Sequence, residues 1–411
     1  MMVVFVQNAA VCGMKGRIVL YVPADCKRLF KACFDDGVAG RTATPCLLCA
    51  TSCVTVCPET ILLHLRGLAM ELSFSRANDK IDQLINQLIE TAGDIRQPQM
   101  IREMLLSALK IGQETDYLAD LKLINRTLRE MRYTTQVFSP YRGRKKVTIF
   151  GSARTSPQDE MYLKCVRFSR MLADKGYMII TGGGPGIMQA GNEGAGSENS
   201  FAVNIRLPFE QKPNPIMYRN PRLVTYKYFF NRKVAFVKEA DAVAVFPGGF
   251  GTLDEAMEVF TLVQTGKTSP KPLILVDDGS GYWEHFFDFV KESLLVKGFI
   301  SGEDFSLFAI TKDEHEAIEV IDSFYRTYHS LRFIENRLVI RLNKQLAPEQ
   351  IATLEDEFSE LIGKGDQIHC CGLFPEEHDE PDLAALPRIS FLFDHHHYGL
   401  LMAFINRINT F

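Results

Sequence analysis

No stretch of this 411-residue chain carries the roughly 20 consecutive apolar residues that span a bilayer, and Met1 to Gly16 lack the charged-then-apolar order of a secretory leader. An excess of one charge is missing as well. Lys and Arg total 46 against 50 Asp and Glu, and the basic residues are scattered rather than run together. That excludes the electrostatic footprint of a nucleic-acid backbone binder. Cysteine is scarce beyond one short segment: seven of the ten precede Pro58, and the others are Cys165, Cys370 and Cys371. A chain of this length with 46% apolar content can bury a core without disulfides. These absences point to a soluble cytoplasmic protein of two or three domains that uses neither membrane nor nucleic acid as a partner.

Residues 1–69, which hold the clustered cysteines, show neither helical nor strand periodicity. Met70 is followed by Glu71-Leu72-Ser73-Phe74 and then by long amphipathic patterns, so it is a candidate native start that would leave 1–69 outside the native protein. Cys46-x2-Cys49-x3-Cys53-x3-Cys57-Pro58 is one residue longer than the ferredoxin run C-x2-C-x2-C-x3-C-P. The insertion turns the middle cysteine away from a shared cluster, and no metal is expected. In the last part of the chain, His369-Cys370-Cys371 and His395-His396-His397 offer soft and imidazole ligands, but neighbouring residues in a strand face opposite ways.

Between 78 and 138 apolar residues recur at helical spacing, as in Ile81, Leu84, Ile85, Leu88 and again in Leu121, Ile124, Leu128, Met131. This predicts a helical segment over 70–141. From there strands at 147–151, 177–182, 201–207, 242–246, 272–277 and 307–310 alternate with helices at 158–174, 186–195, 226–238, 251–265, 282–296 and 314–328. Such alternation predicts a Rossmann-like, doubly wound parallel α/β sheet over 142–330, with ligands at the carboxyl ends of the strands. Beyond it, 331–411 reads as a small α+β appendage.

Two glycine loops lie at predicted strand-to-helix turns. Thr181-Gly182-Gly183-Gly184-Pro185-Gly186-Ile187-Met188 is neither the dinucleotide fingerprint nor a P-loop, since it lacks the last glycine of one and the lysine of the other. Alone it could be no more than a tight turn. Pro247-Gly248-Gly249-Phe250-Gly251-Thr252-Leu253-Asp254-Glu255 repeats the logic, with the Thr252 hydroxyl able to join helix-end N–H groups around an anion. Two helix ends without a lysine suit one terminal phosphate better than a triphosphate. Between the loops, Arg232 and Lys233 follow Tyr226-Lys227-Tyr228-Phe229-Phe230-Asn231. Their ordinary reading is solvated helical cations, as that of Glu255 is an acid well placed in a first helical turn.

The Arg-Lys pair with P-G-G-x-G-T-x-x-E resembles the LONELY GUY family. The second motif matches in full, whereas the first carries one residue fewer before its last glycine than the family's G-G-G-x-x-G-x-M. The resemblance covers 147–328. It implies a phosphoribohydrolase that converts a nucleoside 5′-monophosphate (a cytokinin nucleotide or an ordinary purine or pyrimidine one) into free base and ribose 5-phosphate. It further implies Arg232 and Glu255 as the catalytic pair, a phosphate loop of Gly248, Gly249, Gly251 and Thr252, Gly183, Gly184 and Met188 nearby, no cofactor, and a homodimer or higher homo-oligomer. Lys233 and Ser152, the latter in Gly151-Ser152-Ala153-Arg154, are further ligand candidates, although Ser152 could equally cap its own turn. A decarboxylase would need a pyridoxal phosphate lysine with an acidic partner, and Lys233 is the sole lysine in the motif. A sensor or a carrier of a phosphate-bearing cofactor of the molybdopterin type is the alternative, but it has no need of the carboxylate.

Overall fold

Five strand segments in the middle of the chain are buried along their whole length: Lys146–Phe150, Met178–Thr181, Ser200–Ile205, Ala242–Val245 and Leu273–Val276. Continuous burial of short, β-branched and apolar runs means cover on both faces, which is the signature of a parallel sheet interior. The computed structural model describes residues 2–6, 9–14, 17–21, 54–55 and 79–411 except 208–211 and 278. It divides into two units, Met1–Tyr117 and Leu118–Phe411.

In the first unit, β1 (Met2–Val6), β2 (Ala9–Met14), β3 (Arg17–Tyr21) and β4 (Val54–Thr55) pair antiparallel in that order. The sequence reading found no strand periodicity there, so this sheet is a correction to it. The Cys46 to Cys57 run lies outside the described residues apart from Val54–Thr55. Helices α1 (Asp79–Ala92) and α2 (Pro98–Glu114) follow, with Ile85 and Leu106 buried and an ion pair from Arg102 to Asp82.

The second unit opens on α3 (Leu118–Phe138) and then alternates: β5 (Lys146–Phe150), α4 (Glu160–Asp174), β6 (Met178–Thr181), α5 (Ile187–Ala195), β7 (Ser200–Ile205), β8 (Leu223–Tyr226), α6 (Phe229–Lys238), β9 (Ala242–Val245), α7 (Phe250–Gln264), β10 (Leu273–Val276), α8 (Tyr282–Val290), β11 (Ala309–Thr311) and α9 (Glu314–Phe324). The seven strands are all parallel, in the order β11-β10-β9-β5-β6-β7-β8. Growth runs outward from β5 in one direction and then restarts beside it with β9. A Rossmann-like fold results, and its switch point lies between β5 and β9.

Strand parity decides which layer each side chain enters. Val147 and Ile149 of β5 and Ala242 and Ala244 of β9 pack with Phe168 of α4, Ile187 of α5 and Ile318 of α9. Phe150, Val243 and Val245 face the other way, into a core shared with Phe236 of α6, Val259 of α7 and Trp283 of α8. The same core takes in the C-terminal α+β segment. That segment consists of β12 (Tyr328–Ile334), β13 (Arg337–Leu342), α10 (Pro348–Glu357), β14 (His369–Cys371), β15 (Arg388–Leu392) and α11 (Tyr398–Ile408), with an antiparallel sheet ordered β12-β13-β15-β14. Leu338, Ile340, Phe391 and Phe404 belong to one cluster with Val243 and Val245, so the appendage is fused to a helical face of the domain.

Two strands escaped the sequence reading. β8 occupies 223–225, for which no element is expected, together with Tyr226, the expected helix start, and β12 begins where a helix is expected to end at 328. The candidate metal residues do not converge: His369 pairs with Asp366, His395 lies against Phe333 and Phe393, and His397 pairs with Glu303. Among the described residues no helix is long and apolar enough to cross a membrane.

Candidate active site at the sheet switch point

The loops that leave β5 and β9 part at the switch point and open a cleft of about 820 Å³, lined on one side by Gly151 to Arg154 and on the other by Gly248 to Leu253 and Glu255. Backbone bonds lace the loops together. The Ser152 N–H donates to the Pro247 carbonyl (3.1 Å), and the Ser152 carbonyl accepts from the Ile187 N–H (3.0 Å) at the start of α5. Gly186 has a φ of +64°, and a Cβ there would stand 2.3 Å from the Ser152 oxygen. Both constraints require glycine. Gly186→Ala is therefore expected to lower stability by about 3 kcal/mol or more, through strain and overlap together. Urea unfolding of the variant checks this, and an unchanged midpoint would refute the packing argument.

The first glycine loop thus serves mainly to bring chain against chain. Its helix end has already given the Ile187 N–H to Ser152. Gly183, at φ +69°, would place a Cβ 2.8 Å from that of Ala202, and its carbonyl accepts from the Asn214 N–H (2.8 Å). It stands behind the cleft wall, whereas Gly182, Gly184 and Met188 line it. The second loop differs. Gly248 is packed under Thr252 and Ser152, but an added Cβ at Gly249 or Gly251 would meet nothing within 4 Å. Gly249 caps α7 without any side-chain acceptor, and the first helical bond is that of Leu253 N–H to the Gly249 carbonyl (3.1 Å). First-turn amides at Phe250, Gly251 and Thr252 have no carbonyl one turn back, which leaves them and the positive end of the helix dipole for an anion. The Tyr282 hydroxyl donates to the Gly248 carbonyl (2.7 Å) and fixes the loop.

Deeper in the cleft, α6 and α7 each present one side chain from near their amino ends, and these meet: Arg232 Nη2 donates to Glu255 Oε1. Both are largely buried, with side chains 12% and 13% exposed. Burial pushes the Glu255 carboxyl up to about 7, against the opposing attraction of Arg232. The Arg232 guanidinium lies 5.1 Å and 5.3 Å from the ring centroids of Phe229 and Phe236, and its Nε is buried with no hydrogen-bond partner. A buried cation with a donor to spare is suited to fixing an oxygen-rich ligand beside the carboxylate.

The position of α6 is set from behind by α3. Glu130, 5% exposed, accepts from the Arg126 side chain (2.7 Å), the Lys227 N–H (2.8 Å) and Asn231 Nδ2 (2.8 Å). Burial alone would raise this carboxyl, but the bonds from Asn231, Lys227 and Arg126 together hold it below its ordinary value. Sequence reasoning missed Glu130, because nothing local in an amphipathic helix marks an acid two of whose three donors, Lys227 and Asn231, lie about a hundred residues away.

Of the candidates read from sequence, the cleft brings together Ser152, Gly184, Met188, Arg232, Gly248, Gly249, Gly251, Thr252 and Glu255. Gly183 and Lys233 are not among its lining residues. Lys233 turns to Asp254 (2.9 Å) and Glu258 (2.8 Å), so its charge is engaged on the α7 surface. The Ser152 hydroxyl accepts from the Arg154 N–H (3.1 Å), the turn-capping role, while its backbone borders the cleft. Missed altogether were Asn204, Leu207, Phe229 and Phe236, which form the remaining wall. Leu207 follows β7 and Phe229 opens α6, positions at the carboxyl edge that could have marked them, whereas Asn204 inside β7 and Phe236 two turns into α6 carried no such signal.

Residues 170–321 match a family model described as "Possible lysine decarboxylase". An uncharacterized protein of Archaeoglobus fulgidus is 31% identical over 121 residues, covering 29% of this chain and 76% of its own. The chain belongs to this family, the LONELY GUY family. A cytokinin riboside 5′-monophosphate phosphoribohydrolase of Arabidopsis thaliana is 21% identical over 183 residues, which is 44% of this chain and 84% of that protein. Among solved structures, the molybdenum cofactor binding protein from Rippkaea orientalis is 19% identical, with a TM-score of 0.32 over 44% of this chain and 96% of that one. In this LONELY GUY domain, Arg232 and the whole run from Gly248 to Glu255 fall inside the matched range, whereas Ser152 and Glu130 lie before it.

Proposed function

We propose that the cleft hydrolyses the N-glycosidic bond of a nucleoside 5′-monophosphate, releasing free base and ribose 5-phosphate. The observation that carries this reading is a buried Arg232–Glu255 pair facing the same cleft as an uncapped helix end. Phosphate sits on the first-turn amides of α7, where Gly249 and Gly251 leave room for it. The base rests against the apolar wall of Leu207, Phe229 and Phe236, and the ribose lies between, next to Glu255.

As the bond from the sugar carbon to the base nitrogen breaks, its electron pair leaves with the base and positive charge develops on the ribose. A carboxylate beside the ring stabilises that charge. Water then adds to the sugar carbon and gives up a proton, for which Glu255 is the nearest acceptor of suitable basicity, and the departing base nitrogen takes up one proton from solvent, which balances the reaction. Arg232 keeps the carboxylate oriented and ionised, but its permanent charge makes it no proton donor.

Incubation with AMP, GMP, CMP, UMP and isopentenyladenosine monophosphate, with base release followed by chromatography, tests the reading. Release of base from at least one of them is expected. Tight binding with no release across the panel would replace the hydrolase by a nucleotide sensor or a carrier of a phosphate-bearing cofactor.

A further inference from the structure

At the opposite edge of the parallel sheet, beside the amino ends of its strands, lies a second cleft of about 640 Å³ that shares no lining residue with the first. Three walls build it. One is the turn that leaves α6, from Val237 to Asp241; another is the loop that leaves α7, from Lys267 to Lys271; the third is the start of β12 in the C-terminal sheet, Tyr328 to Ser330. Its polar lining is mostly donors, set among apolar residues such as Val234, Val237 and Leu262. Lys267 and Lys271 line it with one acid, Asp241, and the hydroxyls of Thr268, Ser269 and Ser330, while Lys238, also in the lining, is ion-paired with Glu239. Asp241 is already engaged, since its Oδ2 accepts from the Lys146 N–H (2.8 Å).

Lys271 is the decisive group. It is 5% exposed, and its ammonium donates to the carbonyls of Val237 (2.8 Å) and Ala240 (2.7 Å) at the carboxyl end of α6. An ammonium has three protons, so one remains for a ligand. Burial lowers this amine to about 8, with Asp241 only partly offsetting it, as befits a cation enclosed with too little negative charge around it. An incoming anion would supply that charge.

We propose that this cleft is a second anion site, built for a small phosphate-bearing molecule, whose occupancy is transmitted to the helices that carry Arg232 and Glu255. The transmission is mechanical and short. One wall is the turn after α6 and another the loop after α7, so a bound polyanion ties the trailing ends of both helices to the C-terminal sheet. That gives the appendage a task that the catalytic cleft does not assign to it.

Equilibrium dialysis with inorganic pyrophosphate as probe tests the site on the full chain. Two exposed lining residues are reversed in separate variants, Lys267→Glu and Ser269→Glu, and Gly249→Val fills the catalytic helix end instead. Binding about tenfold weaker in both reversal variants, and retained in Gly249→Val, is the expected result. Binding lost only in Gly249→Val, or no binding at millimolar pyrophosphate, overturns the proposal. Amide hydrogen exchange of residues 229–238 should slow with pyrophosphate in the unmodified protein and not in Lys267→Glu; equal exchange in both would overturn the transmission.

Discussion

Glu255→Gln is expected to lower the rate of base release by about a thousandfold while nucleotide affinity changes by less than about threefold. The separation follows from what the residue does. On the proposed reading the ribose is neutral in the ground state, and the phosphate is held by helix amides at Gly249 to Thr252 rather than by the substituted group. In the transition state the sugar bears positive charge, and only the carboxylate answers it. Glutamine preserves the size and an acceptor for Arg232, so packing is little disturbed. Because burial brings the carboxyl up to about 7, kcat/KM should rise with pH through about 7 and level off above it, the ionised form being the active one. A rate that falls over that range would make Glu255 a proton donor instead. Retention of a tenth or more of the activity in the glutamine variant would remove it from the catalytic machinery.

The parallel domain was legible because its signals are local. Short runs such as Leu273–Val276 are apolar throughout, and glycines mark four of the passages from strand to helix, those after β5, β6, β9 and β10. What failed to show were strands with a half-exposed pattern. β8, at the sheet edge, has only four residues, one of them exposed, and β12 lies at the rim of the C-terminal sheet with most of its residues half-buried. Neither run alternates cleanly enough to outweigh the adjoining helical pattern. At the site, Arg232 and Glu255 were found because a motif names them. The division of labour between the two glycine loops was not readable, since Gly183 and Gly249 look alike in sequence. One fills a place where Ala202 leaves no room and the other leaves a place open for a ligand. Lys233 was misjudged for a similar reason: sequence gives its distance from Arg232 along the chain but not that Asp254 and Glu258 wait one helix away.

Glu130→Ala should cost about 3 kcal/mol in urea unfolding, a large fraction of the stability of an ordinary domain. The carboxylate is buried and has three donors, so its loss leaves the Lys227 N–H enclosed without an acceptor and Asn231 Nδ2 with only a long bond to Thr127 Oγ1 (3.4 Å). The effect should not stop at stability. Asn231 is the residue before Arg232, and the Lys227 N–H fixes the entry to α6, so Glu130 determines where the guanidinium stands. A displaced arginine no longer orients Glu255, and kcat should fall by about tenfold in the folded variant, with KM little changed. Glu130→Gln separates position from charge. Its carbonyl oxygen can still accept from Asn231 or Lys227, so it should recover most of the rate while remaining less stable than the unmodified protein. Equal rates for Glu130→Ala and the unmodified protein would reduce α3 to a stabilising cover with no hold on the catalytic helix.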